Sequence, residues 1–150
     1  MRQHLAIYSA AAFLVIGLAA AAEDKIDCAN AMTTVDLNAC AEKDFDNADK
    51  ALNAVYKKIM ADFAEPDPGN EDNNKKWAEA LKVAQRAWVA FRDADCVKLI
   101  AHEAGGGTAT TGAILGCMTE MTEARTKSGI YRLRFLLIAR RSFGSAESRA

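Results

Sequence analysis

Three stretches of the chain repeat apolar residues at the spacing that places them on one side of a helix. Ala41, Phe45, Ala48, Leu52, Val55, Ile59 and Phe63 follow at intervals of 4, 3, 4, 3, 4 and 4. Trp77, Leu81, Ala84, Trp88 and Phe91 make a second stripe. Ile114, Cys117, Met121, Ala124, Ser128, Tyr131, Phe135 and Ile138 make a third. The polar punctuation agrees. Thr33-Thr34-Val35-Asp36 has the form of a capping box with an acid at the positive end of the helix dipole. Glu65-Pro66-Asp67-Pro68-Gly69-Asn70 must stop a helix, because proline lacks the donor and clashes with the preceding turn. The pattern predicts helix A from the capping box to about Phe63 and helix B from Asp72–Asn74 to about His102. Ala104 to Gly112 is too rich in glycine to remain helical and reads as a loop. Helix C is then expected over roughly Ala113 to Ile138, with a frayed tail from Arg140. No strand-like alternation interrupts this, so the expected fold is all-α, a small antiparallel bundle of three or four helices. Heptad-like stripes also suit a coiled-coil dimer, but the Pro and Gly loops favour packing within one chain.

A second row on helix B crosses its apolar stripe. Gln85, Trp88, Arg92 and Cys96 are spaced 3, 4 and 4, which puts an amide, an indole, a guanidinium and a sulfur on one face. A solvent-facing row seldom carries such a set, so this one is expected to face the other helices. Asp49, Asn53 and Tyr56 lie beside the Leu52 stripe on helix A, and Thr119, Thr122 and Arg125 come from helix C. An unpaired buried charge costs several kcal/mol. The acid and the arginines are therefore expected to meet, as Asp49–Arg92 or Asp49–Arg125, and to fix helix register.

The first residues change the picture of where such a bundle resides. Arg2, the apolar run Leu5 to Leu18 and Ala20-Ala21-Ala22 before Glu23 have the order of a cleaved secretory signal over residues 1–22. The run is short for a membrane span. Cys28 does not directly follow the small residues, so lipidation is not expected. The mature chain would hold a helical domain over 23–140 and a flexible tail over 141–150. Four cysteines, an even number in an exported chain, imply two disulfides. The local pairings Cys28–Cys40 and Cys96–Cys117 are preferred among the three. Twelve residues of straight helix would separate the first pair by ~18 Å, whereas bridged Cα atoms lie within about 7 Å, so the chain must turn between them. The glycines at 105–107 and 112 supply the corresponding reversal between Cys96 and Cys117. The spacings are too wide for the usual zinc pairs, so no metal is expected.

From Glu23 onward 18 basic side chains face 20 acidic ones, a balance that argues against bulk nucleic-acid binding. The distribution is uneven. Residues 23–72 hold 13 acids and 5 bases, while residues 125–150 hold 7 bases and 1 acid. The first and last helices are expected to complement each other across the bundle; a basic patch for a polyanion is the other reading. Signs of catalysis are sparse. His102 is the single histidine after residue 22, with no nucleophile or metal set near it in sequence. Gly105-Gly106-Gly107-Thr108 lacks the strand and lysine of a phosphate loop. No cofactor and no enzymatic activity are expected.

Taken together, Asp27-Cys28, Asp36-Leu37-Asn38-Ala39-Cys40-Ala41, Ala48-Asp49, Leu52-Asn53, Tyr56, Ala84-Gln85-Arg86-Ala87-Trp88, Phe91-Arg92-Asp93-Ala94-Asp95-Cys96, the glycine-rich Gly105 to Thr108, Cys117 and Thr122…Arg125 resemble the lysozyme inhibitor LprI-like family. The resemblance covers roughly Cys28 to Arg125. It implies a small helical envelope protein that inhibits a lysozyme-type muramidase by binding it. Asp49, Asn53, Tyr56, Gln85, Trp88, Arg92 and Arg125 would be the structural motif of such a domain. The loop between Cys96 and Cys117, with Gly105, Gly106, Gly107, Thr108, Thr110 and Thr111, is the candidate contact with the partner, since a stapled loop loses less entropy on docking. The acids Glu42, Asp44 and Asp46 could steer a basic lysozyme. The alternative is a structural or stress-related envelope module with no lysozyme target. No membrane span is expected after signal cleavage.

Overall fold

The computed structural model describes residues 26–66 and 71–147, with side chains described as far as Leu136. The expected signal segment 1–22, much of the Pro–Gly connection and residues 148–150 lie outside the described residues. Helix α1 spans Thr34–Ala64, α2 Glu71–Asp93, α3 Ile100–Glu103 and α4 Ala109–Glu147, and a π-helical turn, Ala94–Leu99, joins α2 to α3. No strand occurs among the described residues.

The first helix starts as its sequence requires. Thr33 is extended, and its Oγ1 accepts from the Asp36 N–H at 3.1 Å and donates to Asp36 Oδ2 at 2.7 Å. It ends at Glu65, which is extended ahead of Pro66. α1 and α2 then run antiparallel, with the Phe63 and Trp77 ring centroids 6.1 Å apart at their joined ends. α4 returns antiparallel to α2 and therefore parallel to α1. Val55 of α1 meets Gly129 of α4, and Asn38 meets Gly112. The helix continues past Ile138 to Glu147, in a stretch without proline.

The most extensive helix packing is between the parallel pair α1 and α4. Small residues make this approach close. Ala48 is buried, and a Cβ at Gly129 would lie 2.8 Å from Val55 Cγ1. α2 stands farther off because its inward residues are long: Leu81, Gln85, Trp88 and Arg92 fill the space between it and the pair. Among the described residues the fully apolar core is thin, consisting of Ala48, Leu52, Ile59 and Leu81 with Cys40 and Cys96. A core this small supplies limited stability, and the two disulfides Cys28–Cys40 and Cys96–Cys117 add to it.

Two of the expected stripes are corrected. On α2, Trp77 and Phe91 are exposed, at 48% and 60%, as is Ala84. The row that turns inward is Leu81, Gln85, Trp88, Arg92 and Cys96, because its polar groups find partners on α4. On α4, Ala124, Ser128, Tyr131 and Phe135 are exposed, and the inward face passes through Thr122, Arg125, Thr126, Gly129 and Leu133. Close approach to α1 selects glycine and threonine over the larger apolar residues. Helix B also breaks its regular winding before His102. The Ile100 N–H reaches the Asp95 carbonyl, five residues back, in the π-helical turn.

Candidate functional site

The side chains of the motif converge on Trp88. The Arg92 guanidinium lies 5.3 Å from the centre of the Trp88 ring and 5.3 Å from that of Phe45 on α1. Arg125 of α4 lies over the same indole at 5.7 Å. The indole thus holds two cations through its π face, and both guanidiniums bring their own acceptors. Arg92 donates from Nε and Nη2 to Asp93 Oδ1, at 3.0 and 2.8 Å, and from Nη1 to Thr122 Oγ1 at 3.4 Å. Thr122 is completely buried. Arg125 donates from Nε to Gln85 Oε1 at 3.2 Å. Burial in this setting, and secondarily the nearby positive charge of Arg132, lowers the Arg125 pKa from the ordinary guanidinium value.

Asp49 lies 4.0 Å from Arg92 Nη1. Its Oδ2 accepts from Asn53 Nδ2 at 2.7 Å, one turn farther along α1. The main carboxylate partner of Arg92 is nevertheless Asp93, its neighbour in sequence. An i, i+1 pair does not share a helix face; here Asp93 stands at the border of the π-helical turn. Tyr56 joins Gln85 and Arg125 around a cavity of about 20 Å³ bounded by Leu52, Ile59, Leu81 and Gly129. That volume is enough for a water and far below what a small-molecule ligand needs.

The glycine loop takes a more compact form than expected. Gly105, Gly106 and Gly107 have φ of 71°, 81° and 86°, a left-handed run that side-chain-bearing residues avoid. The Gly105 N–H donates to the His102 carbonyl at 3.1 Å. Asn38 Nδ2 at the start of α1 donates to the Thr108 carbonyl at 3.4 Å. Of the three threonines, only Thr108 belongs to the loop. Thr110 and Thr111 lie in the first turn of α4, and Thr110 is half-buried with its hydroxyl enclosed. The Cys96–Cys117 bridge closes the base of the loop, with Cys96 fully buried.

Charge is uneven along α1 and α4, which sequence reading missed. Because α1 and α4 run parallel, the acids of their N-terminal halves lie level with each other. Asp44 and Glu123 line one shallow groove between them. Glu42, Asp46 and Glu120 are exposed at the same end. The C-terminal halves expose Lys57, Lys58, Arg132 and Arg134 at the other, and Lys127, which lines the same groove as Asp44 and Glu123, stands between the two groups. The expected pairing of an acidic first helix with a basic last helix is therefore not what the fold makes. Asp49 and Arg92 make an ion pair between α1 and α2. Parallel order follows from an odd number of helices, and the missing signal was the tally of charge by half-helix.

A stapled up–down–up helical bundle whose inner polar cluster is spent on holding the helices together defines a small scaffold domain. This chain belongs to the family described as lysozyme inhibitor LprI, whose sequence profile matches residues 27–128. It is also similar to an uncharacterized protein of Rhizobium meliloti (strain 1021), with 40% identity over 103 residues, covering 67% of this chain and 73% of the relative. No solved structure matches it.

Proposed function

We propose that this protein is exported, is cleaved after a signal over residues 1–22, and acts in the periplasm or outside the cell as a non-enzymatic inhibitor of a lysozyme-type muramidase. The family match over residues 27–128 is the observation that carries this reading. Two disulfides suit an oxidising compartment, and among the described residues no helix is long and apolar enough to cross a membrane. The inhibitory contact is the exposed loop at Gly105–Thr108, braced by the Cys96–Cys117 bridge and by Asn38. That loop stands at the acidic end of the bundle. Glu42, Asp44, Asp46, Glu120 and Glu123 there would draw a basic enzyme toward it, raising the association rate at low salt. The Trp88–Arg92–Arg125 cluster is the scaffold that holds the loop's two helical supports in register, and 23–140 is the functional domain.

The test is a lysis assay. The oxidised chain from Glu23 onward is added to c-type, g-type and i-type lysozymes acting on a peptidoglycan suspension. At least one enzyme is expected to be slowed at micromolar inhibitor, and less so as salt is raised. Undiminished lysis by all three would overturn the assignment.

A further inference from the structure

The outward face of α4 carries residues that the inner cluster and the loop leave unused. Tyr131 and Phe135 are each 71% exposed, one helical turn apart, and Ile130 beside them is 42% exposed. Lys127 and Arg134 flank them and are also exposed. The spacing 127, 131, 134 places a base, an aromatic and a base on one stripe. From Ala124 to Leu136 the helix has no acid. Large aromatics alternating with cations on an open helix face match the interfacial layer of a bilayer, where rings settle at headgroup depth and lysine and arginine reach phosphate. A second copy docking through the same face would bring the same unneutralised cations together. An anionic lipid surface neutralises them.

We propose that this face of α4, centred on Lys127, Tyr131, Arg134 and Phe135, seats the protein on an anionic phospholipid surface. The glycine loop would then lie toward the opposite end of the bundle's long axis. This inference does not depend on lysozyme being the partner.

The experiment is flotation with vesicles of equal parts phosphatidylglycerol and phosphatidylcholine, against vesicles of phosphatidylcholine alone. It uses the oxidised chain from Glu23 onward, which retains both disulfides and every helix contact described above. Binding is expected to the anionic vesicles at low salt and to fall as salt rises. Lys127→Glu with Arg134→Glu should weaken it by roughly 30-fold or more. Tyr131→Ser with Phe135→Ser should also release the protein. Both pairs are exposed, so melting temperature should change little, and circular dichroism verifies the fold. As an independent control, Lys57→Glu at the same end but on α1 should weaken binding far less. Failure to float with anionic vesicles, equal binding of the charge-reversed variant, or concentration-dependent oligomers abolished by the aromatic substitutions would each overturn the proposal.

Discussion

Gly129 of α4 lies so close to Val55 of α1 that a single added carbon would stand 2.8 Å from Val55 Cγ1 and 3.9 Å from Ile59 Cδ1. The contact sets the separation of the two parallel helices that form most of the bundle. Two effects oppose each other in Gly129→Ala. Alanine gains about 1 kcal/mol of helix propensity, and overpacking of a fixed interface costs roughly 1–3 kcal/mol. Overpacking is expected to win by about 1 kcal/mol in urea denaturation. Combining the change with Val55→Ala opens the needed space, so the double variant should be less destabilised than the two single effects added together. A Gly129→Ala protein more stable than the parent would show that the helices separate freely.

Arg92 is buried while its carboxylate partners, Asp49 and Asp93, are nearly half exposed. Removing the arginine therefore strands no deeply buried anion, and the loss comes from its packing between Phe45 and Trp88 and from the orphaned Thr122 hydroxyl. Arg92→Ala is expected to cost about 2–4 kcal/mol. Arg92→Lys keeps the charge but not the flat, stacked fork, and about half of that loss should remain. The Asp49–Arg92 coupling, across 4.0 Å at a half-exposed site, should stay below about 1 kcal/mol in a double-mutant cycle. A larger coupling would make the ion pair, and not the aromatic sandwich, the organising contact.

These residues also show what the sequence could and could not reveal. The spacing of Gln85, Trp88, Arg92 and Cys96 placed them on one face, and the face is real because each polar member has a partner on α4 or at the π-helical turn. Periodicity could not decide between that row and Trp77–Ala84–Phe91, since both satisfy helical spacing. Only the position of α4 does. On α4 itself the competition went the other way: Tyr131 and Phe135 look like core by hydrophobicity, but a neighbouring helix at glycine distance leaves no room for them. The π-helical turn has no composition signal, because it widens a helix without breaking residues. Glycine content sets the expected end of the loop at Gly112, whereas α4 begins at Ala109 and takes in Thr110 and Thr111.

The two disulfides differ in shelter. Cys28 is exposed and joins a short lead to α1, whereas Cys96 is fully buried between the π-helical turn and α4. Under mild reductant, Cys28–Cys40 should open first and leave the bundle folded. Cys96–Cys117 should open only as the bundle unfolds. Alkylation followed by peptide mass mapping reads the order, and circular dichroism at each stage reads the fold. Each bridge restricts the unfolded chain by roughly 3 kcal/mol. Loss of helicity on opening of the first bridge alone would contradict this order.

Asp27 ties the lead beside Cys28. Its Oδ2 accepts from Asn30 Nδ2 at 2.6 Å and its Oδ1 from the Ala29 N–H at 3.1 Å. The Asn30 side-chain bond, and next the Ala29 N–H, hold its pKa below the ordinary aspartate value. A depressed folded pKa means that the turn's stabilisation is present above the unfolded value and fades as pH falls through the folded one. The turn should therefore be intact at neutral pH and loosen only in strong acid. Carboxyl chemical shifts followed by NMR should place the Asp27 midpoint below that of a model aspartate, and Asn30→Ala should move it back up. An unchanged midpoint in Asn30→Ala would assign the shift to another cause.

The last prediction separates the loop from the scaffold beneath it. Gly106 has φ of 81° and no atom near its would-be Cβ, so Gly106→Val strains the backbone without a clash. A β-branched residue in the left-handed region costs roughly 1–2 kcal/mol. That strain should distort the loop locally while the Cys96–Cys117 bridge and the Trp88 cluster stay formed. Thr108→Glu makes a different change, adding a charge at an exposed side chain whose carbonyl alone is used by Asn38. If the loop makes the inhibitory contact, Gly106→Val should weaken lysozyme inhibition by tenfold or more, at nearly unchanged melting temperature. Thr108→Glu should weaken it too if its hydroxyl enters the cleft, whereas pure charge steering would make it inhibit slightly better. Full inhibition by both variants would move the contact off the loop and onto the acidic faces of α1 and α4.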